Sequence, residues 1–117
     1  MIMKCILADD EPLARKGIEK FIKDVPFLEL VDSCTNALQL IDKLGIGKVD
    51  LLFLDIQMPK MGGIEVLRRI AGKSCRVILL TAHADEIYRK KCLELNVLRF
   101  YDKITEFHDF IEFVKAM

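Results

Sequence analysis

The chain has 117 residues, 18 Lys and Arg against 18 Asp and Glu, and 52% apolar residues. That length suits one domain and that apolar share can build a core, which excludes a disordered chain. A net charge of +0 argues against direct nucleic-acid binding, and no apolar run approaches the ~20 residues of a membrane helix.

Short apolar runs alternate with amphipathic segments along the whole chain. Ile2–Ala8 reads as a first strand. Glu11-Pro12 opens a helix, since proline suits the first helical turn. Two i, i+4 stripes run along it, Leu13-Gly17-Phe21 and Ala14-Ile18-Ile22 with Val25. Leu28–Cys34 alternates as an edge strand would. Thr35-Asn36 can cap a helix bearing Ala37, Leu40, Ile41 and Leu44, and Gly45 and Gly47 end it. Leu51–Leu54 is continuously apolar up to Asp55, as expected of a strand buried on both faces of a parallel sheet. Gly62-Gly63 leads into a helix with Ile64, Leu67, Ile70 and Ala71 on one side. Val77–Leu80 is a second apolar run, ending in Thr81. Asp85 can cap a helix carrying Tyr88, Cys92 and Leu95. Val97–Tyr101 is a fifth strand, and Thr105 caps a last helix with Phe107, Phe110, Ile111 and Val114 inward. Five strand–helix units with right-handed crossovers predict an α/β fold, an open doubly wound parallel sheet covered on both faces.

Cys5, Cys34, Cys75 and Cys92 show no CxxC spacing and no paired histidine. Zinc binding and thioredoxin-like chemistry lack their spacing, so the cysteines read as small reduced core residues. The N-terminus has no basic segment leading into a signal-type apolar stretch, so a cytoplasmic location is expected.

In such a sheet the chemistry lies beyond the carboxyl ends of the strands. The residues there are Asp9 and Asp10, Asp55, Thr81 and Ala82, and Lys103. If the first and third strands are neighbours, three carboxylates converge, and such close like charges resist joint ionisation. A divalent cation removes the conflict; Mg²⁺ takes carboxylate, water and phosphate oxygens. Lys103 and the Thr81 hydroxyl then suit phosphate oxygens, an arrangement for phosphoryl transfer with a carboxylate as acceptor.

Asp9-Asp10, the block from Leu54-Asp55 through Met58-Pro59 to Gly62-Gly63, Leu80-Thr81-Ala82 and Lys103 resemble the receiver (REC) domain of two-component response regulators, in the right order over the whole chain. The resemblance implies a single receiver domain over 1–117 with a flavodoxin-like sheet in the order 2-1-3-4-5. It implies Asp55 as phosphoacceptor from a sensor histidine kinase. Mg²⁺ (or Mn²⁺) would be held directly by Asp10, Asp55 and the Gln57 backbone carbonyl, and by Asp9 through water. It also implies Thr81, Ala82 and Lys103 around the phosphoryl group, with Gln57 and His83 tuning its hydrolysis. Phe100 would follow Thr81 inward and remodel the face of the fourth helix, fifth strand and last helix, through which the resemblance implies a homodimer. Asp9-Asp10-Glu11-Pro12-Leu13-Ala14-Arg15 is similar to the opening of receivers joined to LytTR-type DNA-binding domains, a C-terminal partner absent from this chain.

Two positions depart from the family pattern. Ile104 stands where a cis-proline usually follows the lysine, so a trans Lys103–Ile104 bond and a rearranged loop are expected. Tyr101 fills a usually aliphatic position. Other charged and aromatic residues have plainer readings: Arg89-Lys90-Lys91 as a solvated helix face, His108 as surface, and Phe113 as half-buried or part of a dimer patch. The competing functions are a degenerate receiver acting as a phosphorylation-independent platform, a haloacid-dehalogenase-type phosphatase and a flavodoxin-like FMN binder. The phosphatase would need an Asp where Gln57 stands, and the FMN binder a Ser/Thr/Gly-rich loop where Asp9-Asp10-Glu11-Pro12 stands. A signalling domain that assists its own phosphorylation and dephosphorylation, not a turnover enzyme, is the leading expectation.

Overall fold

The computed structural model describes every residue except Ile46, Pro59, Lys60, His83 and Ala84. Its elements are β1 (Met3–Ala8), α1 (Pro12–Asp24), β2 (Leu28–Cys34), α2 (Ala37–Leu44), β3 (Leu51–Leu54), α3 (Gly63–Ile70), β4 (Arg76–Thr81), α4 (Glu86–Leu93), β5 (Arg99–Asp102) and α5 (Phe107–Lys115). The sheet runs β2-β1-β3-β4-β5, and every adjacent pair is parallel. Among the described residues no helix is long and apolar enough to cross a membrane.

The alternation of strand side chains divides the core into two layers. Ile6, Ala8, Leu52, Leu54, Val77, Leu79 and Phe100 face α2, α3 and α4. Their neighbours Cys5, Leu7, Leu51, Phe53, Ile78, Leu80 and Tyr101 face α1 and α5. This is why the central strands read as continuous apolar runs: each is buried on both sides. Phe110 centres the second layer, with its ring edge-on to Phe21 at 5.6 Å, Phe53 at 5.7 Å and Tyr101 at 6.0 Å. Edge strand β2 carries a bulge: Cys5 pairs with Leu30 and Ile6 with Asp32, which leaves Val31 out of register and exposed. A bulge on an edge blunts pairing with a second sheet.

Several local expectations change. On α1 the inward stripe is Ile18 and Ile22, while Leu13 is 78% exposed; only one of two adjacent stripes can face the sheet. On α3 the buried residues are Gly63, Val66, Leu67 and Ile70, and Ala71 is the exposed C-cap. Strand β5 begins at Arg99, two residues later than its apolar run. Asn96 turns the chain with a left-handed φ of 68°, and the ladder to β4 starts with Ile78 opposite Arg99. Thr105 does not cap α5: the N-cap is Glu106, without a side-chain cap bond, and Thr105 N–H instead donates to Asp102 Oδ1 at 3.0 Å. The Lys103–Ile104 peptide is trans, as expected.

All four cysteines are free, but Cys75 is only half-buried. Burial pushes the Cys5 thiol up to about 12 and those of Cys34 and Cys92 to about 11. A thiol reagent applied to the folded protein is therefore expected to label Cys75 first, and peptide mapping of a partial reaction checks this.

Gly63 is required by a close approach at the start of α3. A Cβ there would lie 2.5 Å from Ile56 Cβ and 3.0 Å from Ile56 Cα, and backbone cannot swing aside as a side-chain end can. Gly63→Ala is expected to lower stability by about 2 kcal/mol in urea unfolding; unchanged stability would show that the α3 junction relaxes freely.

Candidate functional site

Parallel strands all end on one side, so the residues that follow them meet there. Backbone bonds fix the junctions: Asp9 N–H donates to Cys34 O at 3.0 Å, Asp55 N–H to Ala8 O at 2.9 Å and Lys103 N–H to Thr81 O at 2.8 Å. Each buried carboxylate is then oriented by its own loop. Asp9 Oδ1 accepts from Glu11 N–H at 2.9 Å, and Asp55 Oδ1 accepts from Gln57 N–H at 2.9 Å. Such turns are typical of aspartate side chains after a strand.

Lys103 joins the two acids. Its Nζ lies 2.6 Å from Asp9 Oδ2 and 3.1 Å from Asp55 Oδ2. The contact to Asp55 is an aligned hydrogen bond; that to Asp9 is an ion pair without that alignment, so Asp9 Oδ2 keeps an unsatisfied hydrogen-bonding capacity. Burial is severe, at 1% exposure for Asp9 and 5% for Asp55. Burial pushes the Asp55 carboxyl above the usual carboxylate range, against the Gln57 N–H and the Lys103 charge, and the Asp9 charge adds to the rise. Burial also works against the Lys103 ammonium, but the close carboxylates of Asp9 and Asp55 keep its pKa above the ordinary lysine value.

Carboxylate oxygens of Asp9, Asp10 and Asp55 lie within 4.8 Å of one another. Asp10 is the exposed member. This donor set is entirely oxygen and anionic, with one buried oxygen not fully bonded, and it fits a hard divalent cation such as Mg²⁺. Thr81, whose carbonyl accepts from Lys103 N–H, is buried and donates from Oγ1 to Ala82 O at 3.1 Å. Ala82 is half-buried and Gln57 exposed at the rim; His83 lies outside the described residues.

Phe100 is buried, at 4% exposure. Arg89 covers its ring, and Arg89 is not the solvated residue its basic run suggested. Its guanidinium carbon sits 4.9 Å from the Phe100 ring centroid, a cation–π contact that covers the ring. Arg89 also pairs with Glu106, and that hydrogen bond holds the Glu106 carboxyl below its usual range. Nothing local in the sequence links residues this far apart, so the pairing of Arg89 with Glu106 is not legible there. Phe113 is half-buried, tilted against Tyr101 at 6.3 Å and covered by Arg99.

The family described as the response regulator receiver domain matches residues 5–115. This chain belongs to that family. The receiver is 34% identical over 93 residues to the transcriptional regulatory protein BtsR of Escherichia coli (strain K12), covering 80% of the chain and 38% of BtsR. It therefore spans well under half the length of that relative. Among solved structures it resembles the REC domain of AraT, a response regulator from Geobacillus stearothermophilus, with TM-score 0.83, 26% identity and coverage of 99% and 95% of the two chains. It also resembles the isolated REC domain of RcsB from Salmonella enterica serovar Typhimurium, solved in the presence of phosphomimetic BeF3-, with TM-score 0.83, 25% identity and coverage of 88% and 78%. Receiver domains are signalling domains of two-component systems, and an Mg²⁺-binding acidic pocket is typical of the family.

Proposed function

We propose that this receiver accepts a phosphoryl group on Asp55 from the phosphohistidine of a sensor histidine kinase. The observation that carries this reading is the meeting of Asp9, Asp10, Asp55 and Lys103 beyond the strand ends. In the transfer the phosphorus–nitrogen bond of the phosphohistidine breaks, a phosphorus–oxygen bond forms to an Asp55 carboxylate oxygen, and the electron pair stays with the imidazole. A bound Mg²⁺ (or Mn²⁺) supplies charge neutralisation between the carboxylates and the incoming phosphoryl oxygens. Asp10, Asp55 and the Gln57 carbonyl would hold it directly. Asp9 would act through a metal-bound water, as the resemblance to receivers implies. Lys103 and Thr81, with Ala82 beside it, meet the phosphoryl oxygens, and Gln57 and His83 set how readily water removes the group. The same residues would let the domain assist its own phosphorylation and dephosphorylation.

The added phosphoryl charge and acceptor oxygens draw Lys103 and Thr81, and the state is relayed through Thr81 and Phe100 to the α4-β5-α5 face. The whole chain, 1–117, acts as one receiver in the cytoplasm. Its relatives' greater length and the name of BtsR support a place in a transcription regulator with a C-terminal DNA-binding domain. The Asp9–Arg15 opening favours the LytTR type, with homodimerisation through the α4-β5-α5 face as the output step.

Incubation with Mg²⁺ and acetyl phosphate, followed by intact mass measurement, is expected to show one phosphoryl group per chain. Absence of any Mg²⁺-dependent adduct would sink the reading in favour of a phosphorylation-independent platform. Continuous phosphate release from an added monoester would favour a phosphatase.

A further inference from the structure

The Lys103 ammonium sits over the acidic cluster, but its backbone lies in the short connection from β5 to α5. That connection has little packing of its own. Ile104 is 70% exposed, and α5 begins without a side-chain cap. Order there comes from hydrogen bonds. Asp102 Oδ1 accepts from Ile104 N–H at 2.8 Å and Thr105 N–H at 3.0 Å; a proline at 104 would have no N–H to give. Glu106 Oε1 accepts from Asp102 N–H at 2.9 Å. The same oxygen receives Arg89 Nη2 from α4, while Arg89 Nη1 donates to Phe100 O at 3.3 Å. One guanidinium thus grips both ends of the segment that carries Lys103 and covers the Phe100 ring as well. Glu86 stands 3.8 Å from Arg89 Nε on the outer side. The pair is partly shielded, with side chains 23% and 30% exposed, so its bonds are charge-assisted and only partly screened by water.

We infer that Arg89 and Glu106 are positioning residues, a clasp from α4 that holds Lys103 at the phosphoryl site and loosens or tightens with Phe100. This rests on the phosphoacceptor reading of Asp55 and assigns a control to that same site. Two opposite consequences follow from Lys103 occupying Asp9 and Asp55 in the resting state. Loosening the clasp withdraws the ammonium from phosphoryl oxygens, which weakens phosphoryl binding. It also frees carboxylate oxygens that a cation would otherwise compete for, so Mg²⁺ binds as well or better.

The test uses the 117-residue chain, beryllofluoride with Mg²⁺ as the phosphoryl mimic and Mg²⁺ alone as the control. In Arg89→Met and in the isosteric Glu106→Gln, beryllofluoride affinity is expected to fall about ten-fold, the scale of one charge-assisted hydrogen bond. Mg²⁺ affinity is expected to hold or rise, and the amide resonances of Lys103, Ile104 and Thr105 should shift before any ligand is added. The double variant should be no worse than either single one, because both cut the same clasp. Glu106→Gln keeps the shape of the side chain, so it carries the test if Arg89→Met fails to fold. Parent-like beryllofluoride affinity in the variants, or equal losses for beryllofluoride and Mg²⁺, overturns the clasp while leaving the phosphoacceptor reading intact. A parent chain that binds no beryllofluoride at all removes the phosphoacceptor reading, and the clasp with it.

Discussion

Asp55→Asn is expected to abolish the phosphoryl adduct completely while leaving the fold in place. The effect is all-or-none because the acceptor must be an anionic oxygen. Asn offers a neutral amide whose oxygen is a poor nucleophile, and Asp9 and Asp10 cannot substitute. Asp9 is the most deeply buried of the three acids, at 1% exposure, and Asp10 stands exposed at the rim. The fold should tolerate the change because the amide oxygen can still accept from Gln57 N–H, the bond Asp55 Oδ1 now makes at 2.9 Å. Burial and the Asp9 charge already work against an ionised Asp55, so removing that charge should keep stability within about 1 kcal/mol of the parent. Intact mass after Mg²⁺ and acetyl phosphate, beside a urea unfolding curve, checks both parts. An adduct persisting in Asp55→Asn would move the acceptor elsewhere.

Lys103→Met is the second large effect, and it reads on stability as well as on chemistry. The ammonium is the positive group bonded to both Asp9 and Asp55, which are almost wholly buried. Methionine keeps the stem and removes the charge, leaving carboxylates that must be solvated, protonated or metal-bound. Breaking a buried pair from one side costs about 3 kcal/mol or more, so the variant should be that much less stable at neutral pH without divalent cation. The sign with pH follows. Unpaired buried carboxylates have folded-state pKa values above their unfolded ones, so stability should recover as pH falls and fail as it rises. Mg²⁺ at about a hundred-fold excess over its dissociation constant would return about 2.7 kcal/mol, more than the parent gains, because no lysine competes. Phosphoryl transfer should remain impaired even so. Urea unfolding with and without Mg²⁺ measures this; parent-like stability in both conditions would remove Lys103 from its neutralising place.

The order of elements, the burial of β3 and β4 on both faces and the strand-end positions of Asp9, Asp55, Thr81 and Lys103 were all legible as sequence. Each depends on a period of two or about four residues, or on a polar residue closing an apolar run, and such signals are local. Register was not legible in the same way. Which stripe of α1 turned inward, and where β5 joined the ladder, depended on neighbours far along the chain: the sheet beneath Ile18 and Ile22, and Ile78 opposite Arg99.

Periodicity and strand-end chemistry were enough to deliver acids, a threonine and a lysine to one edge of a parallel sheet. Parallel strands with right-handed crossovers leave no other place for residues at their carboxyl ends. How those residues divide the work emerged from the packed fold. Lys103 rests between Asp9 and Asp55, Asp10 is the acid left at the surface, and Arg89 covers Phe100 while holding Glu106. Those partners come from separate elements, and a contact between distant elements is set by how helices pack on the sheet, which no local pattern of residues encodes.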